Sequence, residues 1–356
     1  CRCSCLNGCD IYLTTMRMSA KKIIFVLFIL FSLPGFGQED MIISHSRFMQ
    51  KVNPSAFGMN NINKTGVLYN SLGMVNNNRI ESQYFFGAIS FDNDNFSIGL
   101  DVYSLRMDNT GLINTKPTVS YIYKIQLDND VYFLPSLSAG FGGSRIDTGK
   151  LVFEDQLSLV SGFLQTESQD PLVSQIGNSN YMDLGASFLV HSSNYLVGAS
   201  IKHLNQPNIS YNKENTEFTL PIRYSVQGGY EFDINPYDRS IMPRYSTIFA
   251  FLNASKMGDN IEVFLSQEAQ LGSFSMGLNQ QFRKTDSFGF TNIGLSVAVA
   301  YENFEFGALY NFPFQNPLNT TVYSPSTIEI FLTFDFSPYL RNKRGDYRRI
   351  SIDNYY

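Results

Sequence analysis

Only three histidines occur, His45, His191 and His203, so proton transfer near neutral pH has few places to sit. A hydrolase would bring one of them within hydrogen-bond reach of a nucleophile. No serine stands in a setting that marks it for that role: His45 lies ahead of the first strand-like segment, His191 in a short polar turn, and His203 before Leu204-Asn205-Gln206-Pro207. A Gly-rich phosphate loop, a His-Glu-x-x-His helix and an EF-hand loop are all missing from the sequence, which excludes the commonest nucleotide and metal signatures. The four cysteines, Cys1, Cys3, Cys5 and Cys9, crowd ahead of Met16, and no second ligand pair follows at a zinc-site spacing. These observations predict a non-enzymatic chain without cofactor or metal. What remains is a set of acids, Asp101, Glu231, Asp233, Glu262, Glu329 and Asp335, all on the polar side of alternating segments. They are expected to line a lumen, either as a cation-favouring channel or as a satisfied polar network.

The elements that position these acids have a period of two. Ile328, Ile330, Leu332, Phe334 and Phe336 alternate with Thr327, Glu329, Phe331, Thr333 and Asp335, giving one apolar face and one mostly polar face. Segments 222–233 and 292–301 repeat the pattern, and no comparable amphipathic helix is visible. Strands are predicted near 65–75, 80–91, 95–106, 117–127, 131–146, 180–190, 194–204, 222–233, 241–256, 260–268, 271–283, 288–301, 303–312 and 326–336. That makes about fourteen, an even number as single-chain bacterial barrels prefer. Every second connection is tight, as at Asp128-Asn129-Asp130 and Glu302-Asn303, whereas the intervening ones include long stretches near 107–116, 147–179, 205–221 and 313–325. Short periplasmic turns and longer outer loops are the asymmetry of an outer-membrane barrel. The fold class expected is therefore all-β, a transmembrane antiparallel β-barrel of about 14 strands, of outer-membrane type. A soluble sandwich or propeller shows the same alternation, but not the same loop asymmetry or shortage of charge.

Charged residues make up 16% of the chain and aromatic residues 15%, against roughly 25% charged in an average soluble protein. Trp is absent, so an interfacial girdle has to come from the 21 Tyr and 31 Phe. Arg17, Lys21 and Lys22 precede the apolar run Ile23–Leu33, and Gly35-Phe36-Gly37 follows; this is the pattern of a signal peptide. The run is too short for a helical span, which takes roughly 20 residues. The chain accordingly divides into an upstream segment 1–15, a signal peptide 16–37, an N-terminal periplasmic or plug segment 38–64, a barrel 65–336 and a basic tail 337–356. The mature N-terminus is expected at or near Gln38, with both ends in the periplasm. N-terminal sequencing of membrane-extracted protein tests this, and residues before Met16 in the mature protein would contradict it. Residues 1–37 hold four of the 26 basic and one of the 31 acidic residues, so 22 face 30 in what remains, a net charge of -8. No nucleic-acid partner is expected; outer-membrane lipid is. The tail, with Arg341, Lys343, Arg344, Arg348 and Arg349 against Asp346 and Asp353, reads as a solvated end.

Several short elements, in order, carry a family resemblance. They are Asn53-Pro54-Ser55-Ala56-Phe57-Gly58, Asp108 to Gly111, Tyr121-Ile122-Tyr123-Lys124, Leu137 to Gly140 leading to Arg145-Ile146-Asp147, Asp170-Pro171, Tyr195 to Leu204, and Ser326 to Ile330. In this arrangement the chain resembles the PorP/SprF family of type IX secretion system membrane proteins. It departs from the family pattern at Phe57, where Tyr is usual, and in Ser326-Thr327-Ile328-Glu329, where a Ser-His-Glu-like triplet is common. The resemblance implies a barrel that works with the type IX machinery, helping to export or hold a secreted surface protein through that protein's C-terminal signal domain. The alternative is a passive or substrate-selective pore.

Two expectations concern particular residues. The turn at Asn53-Pro54 either seats the N-terminal segment in or under the barrel or is a plain periplasmic turn. Phe153, Leu157, Leu159, Val160 and Phe163 make segment 147–179 too apolar for an idle loop, so it either binds a partner or plugs the mouth. On the closing strand, Arg at Leu332 is expected to cost about 2–4 kcal/mol and Arg at the lumen-facing Thr333 much less.

Overall fold

The computed structural model describes residues 41–61, 63–73, 79–91, 95–108, 110–151, 156, 178–211, 218–235, 242–243, 246–284, 288–314, 325–336 and 349–350. Among them, fourteen strands follow in order: β1 (Lys64–Gly73), β2 (Arg79–Phe91), β3 (Phe96–Met107), β4 (Leu112–Tyr123, resumed after Lys124 as Ile125–Asp128), β5 (Val131–Ile146), β6 (Ser179–His191), β7 (Tyr195–Lys202), β8 (Arg223–Asp233), β9 (Thr247–Met257), β10 (Asn260–Leu271), β11 (Phe274–Lys284), β12 (Phe288–Tyr301), β13 (Phe304–Pro313) and β14 (Thr327–Asp335). Both pieces of β4 pair with β5. Each strand pairs antiparallel with its sequence neighbour, and β14 closes onto β1 from Lys64↔Asp335 to Leu72↔Thr327. Closure leaves no sheet edge, which is the condition for crossing hydrocarbon with strands.

Alternation sorts the side chains as the sequence pattern predicts. On β14, Glu329, Phe331 and Thr333 are buried while Ile328, Ile330 and Leu332 point outward and are exposed. The outer surface continues through Val67, Phe85, Leu100, Val119, Leu137, Val197 and Val226, the apolar band of a lipid-facing barrel. Aromatic rings gather at both ends. Phe91, Phe96 and Tyr121 stack with centroids 4.7 and 5.7 Å apart at the short-turn mouth, and Phe290–Phe314 and Tyr310–Phe312 meet at 4.9 and 4.5 Å at the opposite one. Phe and Tyr thus build both girdles in place of Trp.

Two expected boundaries are corrected. β4 starts at Leu112 rather than 117, so the connection after β3 is the tight Asp108–Gly111, with Gly111 at φ +60°. Pro117 hides the start because it lacks an N–H: pairing with β3 runs straight through it, but pairing with β5 skips from Thr115↔Gly143 to Thr118↔Gly140. β9 starts at Thr247 rather than 241, which leaves a long connection, 234–246, at the short-turn mouth. There the Asn235 amide donates to the Met242 and Pro243 carbonyls at 3.0 and 3.4 Å, and Ser246 Oγ donates to Pro243 at 2.7 Å. These contacts tie Asn235 and Ser246 to Met242 and Pro243 just ahead of β9.

The N-terminal segment lies inside the barrel. A single helical turn, α1 (Met49–Val52), leads through Asn53 into a 3₁₀ stretch, Pro54–Asn61. Asn53 Oδ1 accepts from Ser55 N at 3.0 Å and the Asn53 carbonyl from Ala56 N at 3.0 Å, an Asx-turn for which Pro54 presets φ. Residues 41–53 are buried apart from the half-buried Arg47, and Ile42, Phe48, Met49, Phe57 and Met59 join one apolar cluster with the wall residues Leu68, Tyr84, Phe86, Ile122, Leu134 and Leu189.

The first of the described residues, Met41, lies toward the mouth opposite the short turns. The Met41 carbonyl accepts from Asn70 Nδ2 at 2.8 Å. With Leu72, Arg283, Pro325 and Thr327, Met41 also lines a cavity of about 30 Å³ at the far mouth. Polar groups at that level draw the backbone of 41–44 there, and the segment returns through the lumen to enter β1.

Candidate functional site

Three levels of contact tie the N-terminal segment to the wall. Toward the far mouth, the fully buried Glu329 of β14 accepts from Ile43 N (2.6 Å), Ser44 N (3.1 Å), Ser44 Oγ (2.6 Å) and Asn70 Nδ2 (2.8 Å). A carboxylate with four donors is thereby satisfied without a cation.

At mid-height His45 Nε2 donates to the Ile42 carbonyl at 2.7 Å and its Nδ1 accepts from Asn253 Nδ2 at 2.8 Å, so partners on both sides fix the neutral ring in one tautomer. Across the lumen, Ser200 Oγ donates to the Val52 carbonyl (2.9 Å), Asn53 Nδ2 to the Phe188 carbonyl (3.0 Å), and Ser55 Oγ meets Ser136 and Ser187 Oγ at 3.2 and 2.9 Å. Lys51 Nζ lies 4.0 Å from the Tyr103 ring centroid and 5.3 Å from that of Tyr84, a cation–π site sheltered from water.

Glycines make room at this level. A Cβ on Gly99 would lie 2.2 Å from the Phe57 ring, and one on Gly198 would lie 2.7 Å from Asn53 Nδ2. Gly99→Ala is therefore expected to displace Phe57 and destabilise the segment by about 1–3 kcal/mol, the usual cost of overpacking. Adding Phe57→Ala should recover part of that loss in a double-mutant cycle read by hydrogen exchange at 54–61; purely additive losses would break the pairing.

The third level, near the short-turn mouth, is ionic. Arg47 forms ion pairs with Glu268 of β10 and Glu305 of β13, and Lys64 Nζ lies 3.8 Å from Glu305. Arg349 of the tail joins the same carboxylates, 2.7 Å from Glu268 and 2.8 Å from Glu305. Burial and the neighbouring Arg349 lower the Arg47 pKa below the usual guanidinium range. Burial acts the same way on Arg349, but Glu268 and Glu305 outweigh it and raise its pKa. Arginine stays charged through either shift. Glu231 accepts from Arg349 N (3.3 Å), Ile350 N (2.9 Å) and Thr247 Oγ1 (3.1 Å). The expected solvated tail is thus corrected for Arg349 and Ile350: the latter is fully buried, drawn in by inward acids that need cations.

Of the acids singled out from the sequence, Glu329 holds Ile43 and Ser44, and Glu231 holds Arg349 and Ile350. Asp101 Oδ2 accepts from Tyr84 OH at 3.3 Å, and Glu262 pairs with Arg283 at 3.0 Å. Asp233 and Asp335 end β8 and β14, exposed and half-buried respectively. Sequence reasoning missed Arg47, Glu268 and Glu305. Glu268 and Glu305 share the inward parity of their strands, and that parity was the available signal. Phe153, Leu157, Leu159, Val160 and Phe163 lie outside the described residues.

His203, at φ +60° and fully buried, contacts Asp183 through Nδ1 at 2.9 Å, and Lys116 Nζ holds the other Asp183 oxygen at 3.1 Å. An Asp–His pair orients a ring as in a triad, but this ring is shielded from any substrate. His191 stacks on Tyr132 at 5.6 Å. No group of three or more metal-ligating side chains occurs among the described residues.

A closed fourteen-strand barrel with an apolar outer band, two aromatic girdles and its own N-terminal segment in the lumen is an integral outer-membrane protein. Residues 38–334 match the family model described as type IX secretion system membrane protein PorP/SprF, and the chain belongs to that family. It is thus an outer-membrane component of type IX secretion, in a family of secretion components rather than enzymes. No curated protein matches it. Among solved structures it is similar to a deltaS2S3 mutant of the TodX monoaromatic hydrocarbon channel, at 11% identity over 80% of this chain and 92% of that one, TM-score 0.48. It is also similar to Omp33 of Acinetobacter baumannii, at 10% identity over 78% and 100%, TM-score 0.41, and to the KdgM porin, at 7% identity over 77% and 99%, TM-score 0.35.

Proposed function

We propose that this barrel is a non-enzymatic partner of the type IX machinery that helps export or retain a secreted surface protein through its C-terminal signal domain, with outer loops 147–179 and 205–221 as the recognition surface. The observation that carries this reading over a passive pore is the lumen. Residues 41–59 are hydrogen-bonded or packed at three levels against strands around the barrel, through ion pairs and buried apolar side chains that occupy the lumen. Loops of this length can supply the roughly 800 Å² per side that a specific protein interface buries. In loop 205–221, Ile209 N donates to the Phe218 carbonyl at 2.8 Å and Leu220 N to that of Pro207 at 3.0 Å, and Phe218 remains 47% exposed. The two stems of this loop are thus braced against each other and carry an exposed aromatic side chain.

Deleting residues 151–165 tests the reading. Loss of a surface protein bearing a C-terminal signal domain from the cell exterior is expected, with the barrel folded and non-conducting in planar bilayers. Steady single-channel conductance of the wild-type protein, with surface proteins unchanged by the deletion, would make it a pore.

A further inference from the structure

Arg47 of the lumen segment and Arg349 of the tail meet on one set of carboxylates. Glu231, Glu268 and Glu305 project inward from β8, β10 and β13 near the short-turn mouth. Arg47 and Lys64 supply two cations to this group, and Arg349 supplies the third that makes it neutral. Recognition of the tail is not ionic alone. The Arg349 guanidinium bridges two carboxylates, the amides of Arg349 and Ile350 both donate to Glu231, and the Ile350 side chain is fully buried in the apolar cluster that contains Phe48 and Phe249. Charge, two backbone amides and an apolar side chain are read together, which is how a pocket recognises a peptide rather than an ion. Arg47, one residue before Phe48, shares both carboxylates with Arg349, so the tail's seat and the N-terminal segment's seat are one structure.

We propose that Glu231, Glu268 and Glu305 form a peptide socket specific for an Arg–Ile pair, which the chain's own tail fills, and that its filling holds the N-terminal segment in the lumen. Emptying the socket leaves a buried carboxylate without its cation, a costly state, beside the Arg47 anchor. A pull on the tail at the short-turn mouth is thereby transmitted to residues that reach the opposite mouth.

A protease site placed within residues 340–345 lets the tail be cut after the whole chain has folded. Hydrogen exchange at 41–52 is then followed in detergent, before and after the fragment is washed away, and again with synthetic peptides of residues 346–356. Protection is expected to fall at least tenfold on loss of the fragment and to return with the natural peptide. The Arg349→Gln peptide should bind at least tenfold more weakly. Unchanged protection after the fragment has left would overturn the coupling, and equal rescue by both peptides would overturn the socket. Should the fragment stay bound through washing, uncut full-length Arg349→Gln decides: faster exchange at 41–52 is expected, and wild-type exchange rates would sink the proposal.

Discussion

Glu329→Ala is expected to release the first residues of the lumen segment, with exchange at Ile43 and Ser44 accelerating on the order of 100-fold. Four donors converge on this carboxylate, three of them anchored in backbone or in the Asn70 amide. Its removal leaves them buried without an acceptor, each at about 1–3 kcal/mol. Partial relaxation toward the far mouth holds the net cost to roughly 3 kcal/mol, and each 1.4 kcal/mol is about a factor of ten. Glu329→Gln keeps the shape but turns one acceptor into a donor, so it should fall between the two. The barrel itself, closed by the β1–β14 ladder, should keep its strand content by circular dichroism. Exchange at wild-type rates in Glu329→Ala would mean that the carboxylate does not hold the segment.

The strands were legible because lipid imposes a strict sorting that survives in a single sequence. Ile328, Ile330 and Leu332 face outward, and so do Tyr224, Val226, Tyr230 and Phe232 of β8. Where the sorting rule was broken, the boundary was lost: Pro117 masked the first residues of β4, and the stretch before Thr247 was read as strand although Asn235 and Ser246 hydrogen-bond Met242 and Pro243 there. The lumen was harder to read for a physical reason. A polar inward face is compatible with water, with a neighbouring side chain or with another segment of the same chain, and alternation does not distinguish them. Glu231 and Glu329 are buried on their strands, but their partners, the amides of Ile43, Ser44, Arg349 and Ile350, lie more than a hundred residues away. The basic composition of the tail points to solvent, whereas the inward parity of Glu268 and Glu305 points to a need for cations inside. Only the structure weighs one against the other.

That filled lumen alters the contrast expected on the closing strand, where Leu332→Arg and Thr333→Arg place the same charge on opposite faces. Leu332 is 44% exposed on the lipid side, opposite the outward Val67 and Phe306. An arginine there should cost about 2–4 kcal/mol near the bilayer midplane. Thr333 is not the cheap site that a water-filled lumen would make it. It is 3% exposed and packed so closely that a Cβ on Gly66 would lie 2.8 Å from its methyl, so the larger side chain should cost about 1–3 kcal/mol by overpacking, with neighbouring Glu305 partly offsetting the charge. Bilayer thickness separates the two causes. In vesicles of shorter-chain lipid the arginine at 332 comes within reach of the headgroups, and its penalty is expected to shrink. The penalty at 333 arises from protein packing and should stay constant. Folded fractions from refolding titrations across a lipid-length series read both penalties, and an equal dependence on thickness at the two positions would mean that one of them has been assigned to the wrong face.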